Sequence, residues 1–567
     1  MSFGFRVILG LMVLFVLAAS FATASGPKGS AAVDTVFRNP IISGFSPDPS
    51  IVRVDSDFYL VNSSFEYFPA LPIYHSTDLV NWSLISFALT DPHMIDFSSL
   101  QSSDGIQAAT IRHHDGRFYV AATNASGKGL ESFIVTASDP RGPWSAPIMV
   151  KDAVGIDPSL FFDDDGRVWY TASVKPPEPA FEGEKQIWLQ ELDPATLQLI
   201  GERRMVWSGC CRGGWAEGPH LYKRSGTYYL LLAEGGTNHQ HAVSIASSDR
   251  VEGPYVGNPR NPILTHRHLS FDHPITGVGH ADLVELADGR WFGVALGWRL
   301  VNGQHGILGR ETFLFPVEWE TERKWWRKDN KTYPVMSPLT GKIEAEYPIP
   351  LEKAQQDPLK KFIDEFDLPN LSNEWNGRRT HPTSFTDLKT KPGIARIRLA
   401  PAKIGENLAY SFMGIRQRHL SFSAEADMHF SPRSAHEEAG LVVIQNDRAA
   451  LLLTRIEDGS EDYVILSRWA DGERAELGRI PISKGDLSLR VDGNGLTYQF
   501  YLREKGGEWR RVGDPVDVAF MSPRSLQGFN YTGLFLGLYG SSNGAPSDNF
   551  ADFGRFSYEP NVSVSPH

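Results

Sequence analysis

The chain has 567 residues, 41% of them hydrophobic and 11% aromatic, with 55 basic against 67 acidic side chains and a net charge of −12. That composition belongs to folded protein, and the length exceeds what one hydrophobic core usually organises, so at least two domains are predicted. The negative balance repels phosphate-rich partners, which argues against nucleic acid and suits an uncharged substrate.

The N-terminus reads as a processing segment. Arg6 gives a basic start, residues 7–17 form an apolar run, and Ala22-Thr23-Ala24 offers small residues before Ser25. This three-part pattern predicts a signal peptide over residues 1–24 and a secreted or periplasmic protein; the run is too short to span a bilayer. No later stretch is apolar for long enough, so no membrane partner is expected. The two cysteines, Cys210 and Cys211, are neighbours, which rules out a disulfide framework. Two thiols are the simpler reading, with a strained vicinal disulfide as the alternative.

From residue 36 to 340 one phrase recurs five times: an acidic or small residue, an apolar strand, a turn and an aromatic strand. It begins at Asp48-Pro49-Ser50, Ala108-Ala109-Thr110, Asp157-Pro158-Ser159, Glu217-Gly218-Pro219 and His280-Ala281-Asp282. The turns carry Gly116, Gly166, Gly226 and Gly289, with Ser56 in the matching place of the first copy. Glycine supplies the positive φ of a tight hairpin, and a hairpin at each such interval leaves room for four strands per unit. The pattern predicts an all-β chain opening with a five-bladed β-propeller. Inner strands of a propeller line its axis, so Asp48, Gln107 or Ala108, Asp157, Glu217 and His280 should converge.

Three of those five positions are carboxylic acids. Singly, each is an ordinary strand-end residue, and Asp-Pro is a common turn starter. Like charges gathered at one channel mouth are destabilising unless they serve something. Glycoside hydrolysis uses such a set: one acid protonates the leaving oxygen, and one carboxylate activates water or attacks the sugar. A third can raise the acid's pKa through repulsion. Phe65, Tyr67 and Phe68 follow Asp48 and offer apolar surface for a sugar ring. A pure cation site would more commonly draw its oxygens from one short loop.

The residues then match a family. Asn39-Pro40-Ile41-Ile42-Ser43-Gly44-Phe45-Ser46-Pro47-Asp48-Pro49-Ser50, Ser64-Phe65-Glu66-Tyr67-Phe68-Pro69, Glu217-Gly218-Pro219-His220-Leu221-Tyr222, Ala233-Glu234-Gly235-Gly236-Thr237, Gly279-His280-Ala281-Asp282 and Gly309-Arg310-Glu311-Thr312-Phe313 resemble glycoside hydrolase family 43. The likeness is to its two-domain β-xylosidases and α-L-arabinofuranosidases, and it covers nearly all of the chain after the signal peptide. The resemblance implies that Asp48 is the general base, Glu217 the general acid and Asp157 the residue that tunes and orients it. It implies an inverting reaction with no cofactor required for the chemistry. It places Arg310, Phe65, Thr237 and the axial His280 against the sugar. One position departs from the pattern: Gly105-Ile106-Gln107-Ala108-Ala109 carries Gln107 where many such β-xylosidases have tryptophan. The implied substrate is a xylo-oligosaccharide or an arabinose-decorated oligosaccharide.

Pro348, Pro350 and Pro358 among charged residues mark 341–361 as a linker. Beyond it, Leu420, Phe422, Ala424, Ala426, Met428 and Phe430 alternate with polar residues. Leu487, Leu489 and Val491 lead through Gly493-Asn494-Gly495 to Leu496, Tyr498, Phe500 and Leu502. This is the period of strands with one buried face, and residues 362–560 are predicted to form a β-sandwich. The resemblance implies a concanavalin-like sandwich with a loop closing the propeller pocket, and Phe529 is the candidate lid. Asp364 and Asp552 are candidates for a structural calcium. Two rivals remain. A retaining fructosidase would need Asn-Asp-Pro, Arg-Asp-Pro and Glu-Cys-Pro, where this chain has Pro47-Asp48-Pro49, Ile156-Asp157-Pro158 and Glu217-Gly218-Pro219. A non-catalytic glycan-binding protein would have no use for the intact carboxylates.

Overall fold

The computed structural model describes residues 36–97, 100–210, 213–320, 331–351, 356, 360–528 and 530–561. The predicted signal peptide, Cys211 and the lid candidate Phe529 lie outside them.

Five antiparallel sheets follow one another, each built from strands in sequence order. Their innermost strands are Ser50–Val54, Gly105–His114, Ile156–Phe162, Glu217–Arg224 and Ile275–Glu285. The hairpins form where the turn residues predict them. Val54 pairs with Asp57, His114 with Arg117 and Arg224 with Thr227, leaving two-residue turns. The hydrophobic clusters lie between neighbouring sheets. Ile73 packs with Ile111 and Val120 between the first and second blades, and Ile134 with Leu160 and Trp188 between the second and third. Trp169 packs with Leu221 and Leu230 between the third and fourth. Leu231, Leu283, Val294, Ile51 and Leu60 share one cluster joining the fourth, fifth and first blades. A chain of inter-sheet cores that returns to its start is a closed propeller.

Closure involves both ends of the repeat. Val36–Arg38 pairs with Glu346–Pro348, and the Asn39 amide donates to the carbonyls of Leu314 and Glu344 at 2.8 and 3.0 Å. The stretch expected to be linker therefore begins as part of the propeller. Ile343 and Tyr347 are buried against the fifth blade, because the closing strand needs an apolar floor.

The second domain stacks two antiparallel sheets of eight and six strands. Phe422, Ala424, Ala426 and Met428 point into its core from Ser421–His429, as their alternation predicts. Asn494 pairs with Thr497, so Gly495 and Leu496 make the turn of the predicted hairpin. The domains share structure. Tyr67–Phe68 of the first blade pairs with Gly377–Arg378, Tyr67 stacks on Phe535 at 3.8 Å, and Ile307 and Leu308 enter the sandwich core.

The calcium expected at Asp364 and Asp552 is not supported. Both oxygens of Asp552 are taken by Arg396, at 2.8 and 3.0 Å, and by Lys391 at 2.6 Å. Asp364 accepts the Trp375 indole N–H at 2.8 Å and the Phe366 amide at 2.9 Å. Asp364 also pairs opposite Phe556, four residues along the strand from Asp552, which separates the two by about 13 Å. Among the described residues, no three His, Cys, Asp or Glu side chains gather closely enough to hold a metal ion.

Candidate active site

At the mouth of the axis, one residue in or just before each inner strand adopts the left-handed backbone: Asp48 (φ 50°), Ala108 (44°), Asp157 (59°), Gly218 (56°) and His280 (49°). Four of the five are not glycine, at a cost of about 1–2 kcal/mol each. In the last four blades the pairing register slips at the same place. Such a bulge re-aims a side chain, here toward the axis. The fivefold ring thus differs from the sequence expectation by one residue in the fourth blade. Gly218 takes the ring position because a Cβ there would come within 3.0 Å of the His280 ring. Glu217 enters from one residue earlier, the register that Gln107 occupies in the second blade.

The ring opens into a cavity of about 340 Å³. Asp48, Asp157 and Glu217 line it, and so do Phe65, Gln107, Thr237, His280 and Arg310. These eight positions, distant along the chain, meet here, whereas Tyr67 and Phe68, offered with Phe65 as sugar surface, do not: Tyr67 stacks on Phe535 at the domain junction and Phe68 packs in the core between the first two blades. Gln107 donates from Nε2 to the Ser103 carbonyl at 3.3 Å, and the Ser103 hydroxyl accepts the Tyr531 amide at 2.9 Å. The lid candidate Phe529 lies outside the described residues, and Tyr531 reaches the cavity wall. Tyr531 and Phe65 lie side by side, ring centres 5.7 Å apart, and the Arg310 guanidinium faces both, 5.1 and 5.4 Å from their centres.

Below the ring the axis is plugged. Arg112 reaches Asp282 Oδ2 from Nη1 and His220 Nδ1 from Nη2, each at 2.9 Å. Ser50 and Tyr222 donate hydroxyls to Asp282 at 2.7 and 2.5 Å. Burial disfavours the Asp282 charge, yet Arg112 and these donors hold its pKa far below the carboxylate range. Burial pushes His220 down to about 3, so it sits there neutral. The cavity therefore has a closed floor.

The three acids differ in surroundings. Burial raises the pKa of Asp48, but the Arg310 guanidinium at 3.0 Å, His280 and the Ser63 hydroxyl at 2.6 Å outweigh it and keep Asp48 ionised. Burial and the neighbouring Glu217 push Asp157 up to about 6; its Oδ2 accepts the Gly218 amide at 2.9 Å. Glu217 was expected to carry the raised pKa. Instead the Lys185 ammonium, 2.6 Å from its Oε2, overcomes burial and lowers it. His241 is pushed down to about 4 by burial and donates from Nδ1 to the Gly277 carbonyl at 3.1 Å. Its Nε2 is then an acceptor, and it has no partner among the described residues. Nor do Nε and Nη2 of Arg310. Buried polar atoms left unpaired at a cavity wall await a polar ligand.

The profile described as "Glycosyl hydrolases family 43" matches residues 37–324, and "Beta xylosidase C-terminal Concanavalin A-like domain" matches residues 363–559. The chain belongs to glycoside hydrolase family 43. A xylosidase/arabinosidase of Butyrivibrio fibrisolvens is 38% identical over 530 residues, covering 92% of this chain and 99% of that protein. A non-reducing end α-L-arabinofuranosidase of Bacteroides ovatus is 38% identical over 526 residues, covering 92% and 94%. Among solved structures, a Bacillus halodurans xylan β-1,4-xylosidase superposes with a TM-score of 0.84 at 32% identity, covering 92% of this chain and all of that one. This family 43 member is accordingly a glycoside hydrolase, and the family inverts the anomeric centre.

Six cavity residues of this family 43 chain escaped the sequence reading: Lys185, Trp215, Asn238, His241, Leu296 and Tyr531. Lys185 and His241 lie just outside or at the start of later strands, where the blade repeat offers no fixed register. Trp215 stands two residues before Glu217, and that proximity was the only local signal for it. Tyr531 stands two residues after the lid candidate Phe529, but nothing in the sequence there says which aromatic faces the cavity.

Proposed function

We propose that this protein removes one terminal pentose at a time from the non-reducing ends of oligosaccharides, chiefly β-D-xylose, with α-L-arabinofuranose as a second substrate. The enclosure of the cavity carries this reading: its floor is plugged at Arg112 and Asp282, and Phe65 and the second domain's Tyr531 wall it, which suits the end of a sugar chain. Asp48, kept ionised by Arg310, is suited to activate water. Glu217 at the mouth is suited to protonate the leaving oxygen, and Asp157 to share its proton. Arg310, Thr237, His241 and His280 supply polar contacts to the sugar, with Phe65 and Tyr531 as apolar walls. Names of relatives, xylosidase/arabinosidase and α-L-arabinofuranosidase, support both pentoses as substrates. The basic start, apolar run and small-residue site within residues 1–24 support export to the periplasm or medium. Nitrophenol release from matched aryl β-D-xyloside and α-L-arabinofuranoside tests the substrate assignment. Turnover of the arabinofuranoside alone overturns the preference, and rapid loss of xylan viscosity overturns the one-ended pocket.

A further inference from the structure

An acid catalyst must hold a proton, yet the strongest contact Glu217 makes works against one. Lys185 Nζ stands 2.6 Å from Glu217 Oε2, and both side chains are largely buried, at 14% and 18% exposure. At that depth the attraction is little screened, and the pair favours a carboxylate. Asp157, His241, His280 and Tyr531 also face Glu217, and Asp48 and Arg310 line the same cavity. Lys185 is the group in direct ionic contact with it. As long as that contact persists, the proton of the acid pair resides on Asp157.

The same lysine lies over a second surface. Its ammonium is 5.8 Å from the ring centre of Trp215, which remains 40% exposed at the cavity rim. Trp215 is held there by its backbone. Its φ is +54°, its amide donates to the Gly183 carbonyl at 2.6 Å, and a side chain at Gly183 would strike its ring at 2.8 Å. A rigid, half-exposed indole two residues from the acid is placed where the leaving group must lie, since the acid sits between the cleaved sugar and the group that departs. Indole faces suit the apolar side of a sugar ring, and the sugar's hydroxyls are acceptors for an ammonium.

We propose that Lys185 locks the acid of this site: it holds Glu217 ionised until the leaving-group sugar settles on Trp215 and draws the ammonium away. The inference rests on Glu217 being the acid of the proposed reaction. With Lys185 hydrogen-bonded to the bound sugar, Glu217 takes up the proton that Asp157 held, then passes it to the glycosidic oxygen as that bond breaks. Asp48 receives a proton from the attacking water, so protons balance over the turnover. The lock makes the enzyme a poor acid catalyst toward water or short alcohols in an empty leaving-group subsite, and a competent one once a saccharide fills it.

The test is the pH dependence of hydrolysis of xylobiose, or of its α-L-arabinofuranosyl counterpart. The alkaline limb of kcat/KM reports the acid in the free enzyme, and that of kcat reports it in the complex. In the wild type the kcat/KM limb should lie about 1 pH unit or more below the kcat limb. In Lys185→Met the two limbs should coincide, and Lys185→Arg should restore the separation. The fluoride of β-D-xylosyl fluoride leaves without acid help and brings no sugar into the leaving-group subsite, so Lys185→Met should slow its hydrolysis far less than that of xylobiose. A merely structural role would damage it as much. Trp215→Ala should raise KM for the disaccharide about tenfold, by loss of one stacking surface, and leave KM for the fluoride within twofold. Coincident limbs in the wild type, or a separation that survives Lys185→Met, overturn the lock. If Lys185→Met does not fold, the wild-type limbs and the Trp215 variant decide the matter. Failure to hydrolyse either disaccharide or the fluoride overturns the enzymatic assignment itself, a distinct outcome.

Discussion

Arg378 of the sandwich stands 2.8 Å from Glu66 of the first propeller blade, and neither side chain is exposed to solvent. Arg378 also reaches Asp447 at 3.0 Å, and Arg379 reaches the same carboxylate at 2.5 Å. Glu66 follows Phe65 in sequence, so the ion network that joins the domains also anchors a wall of the cavity. Breaking a buried pair on one side leaves an uncompensated charge, which costs about 3–5 kcal/mol. Arg378→Met should therefore lower stability by that order in denaturant titration and reduce turnover. A variant with wild-type stability would mean that the network is not holding the domains together.

Truncation after Leu351, beyond the closing strand, extends the same logic. The propeller alone would lose Tyr531 from its cavity and uncover Tyr67, whose ring stacks on Phe535. The expected outcome is an aggregating or nearly inactive fragment, judged by size-exclusion chromatography and aryl glycoside assays. A soluble fragment with full turnover would reduce the sandwich to an appendage.

The acid and base are separable by leaving group. Glu217→Ala should depress hydrolysis of xylobiose by about 10²–10⁴-fold, the usual worth of general acid catalysis. An activated aryl xyloside, whose leaving group departs unaided, should suffer far less. Asp48→Ala should damage both substrates alike, because each requires activated water. Equal losses on both substrates for Glu217→Ala would remove it from the acid role.

Arg310 sets the acidic limb of the pH profile. Its charge favours the Asp48 carboxylate, so removing it must raise the Asp48 pKa. The base is then protonated, and activity lost, at a higher pH. Arg310→Met should move the acidic limb of kcat/KM upward by about 1 unit and raise KM, since Nε and Nη2 no longer meet the sugar. An unmoved limb would show that His280 and Ser63 suffice to hold Asp48 ionised.

Substrate choice should respond to Gln107. Its side chain lines the cavity and is tied to Ser103, the residue that anchors the Tyr531 loop. Gln107→Trp replaces an amide by a ring that stacks on a pyranose, worth on the order of 1 kcal/mol. The xyloside-to-arabinofuranoside ratio of kcat/KM should rise several-fold in matched aryl glycoside assays. A falling ratio would place Gln107 away from the pyranose face.

The sequence by itself determined the blade count, the sandwich and the convergence of Asp48, Asp157, Glu217 and His280. Repetition and period-two alternation are local signals, and a repeat that closes on itself turns equal register into equal position. Only the tertiary structure decided what lies beyond that register. It placed Gly218, not Glu217, in the left-handed ring, because the His280 ring leaves no room there for a Cβ. It gave Asp552 to Arg396 and Lys391, drew residues near 347 into the propeller, and set Lys185 against Glu217. Each outcome depends on loops whose lengths differ from blade to blade and on charges from distant segments. Their energies depend on distances of a few ångströms and on shared burial, which sequence spacing does not encode.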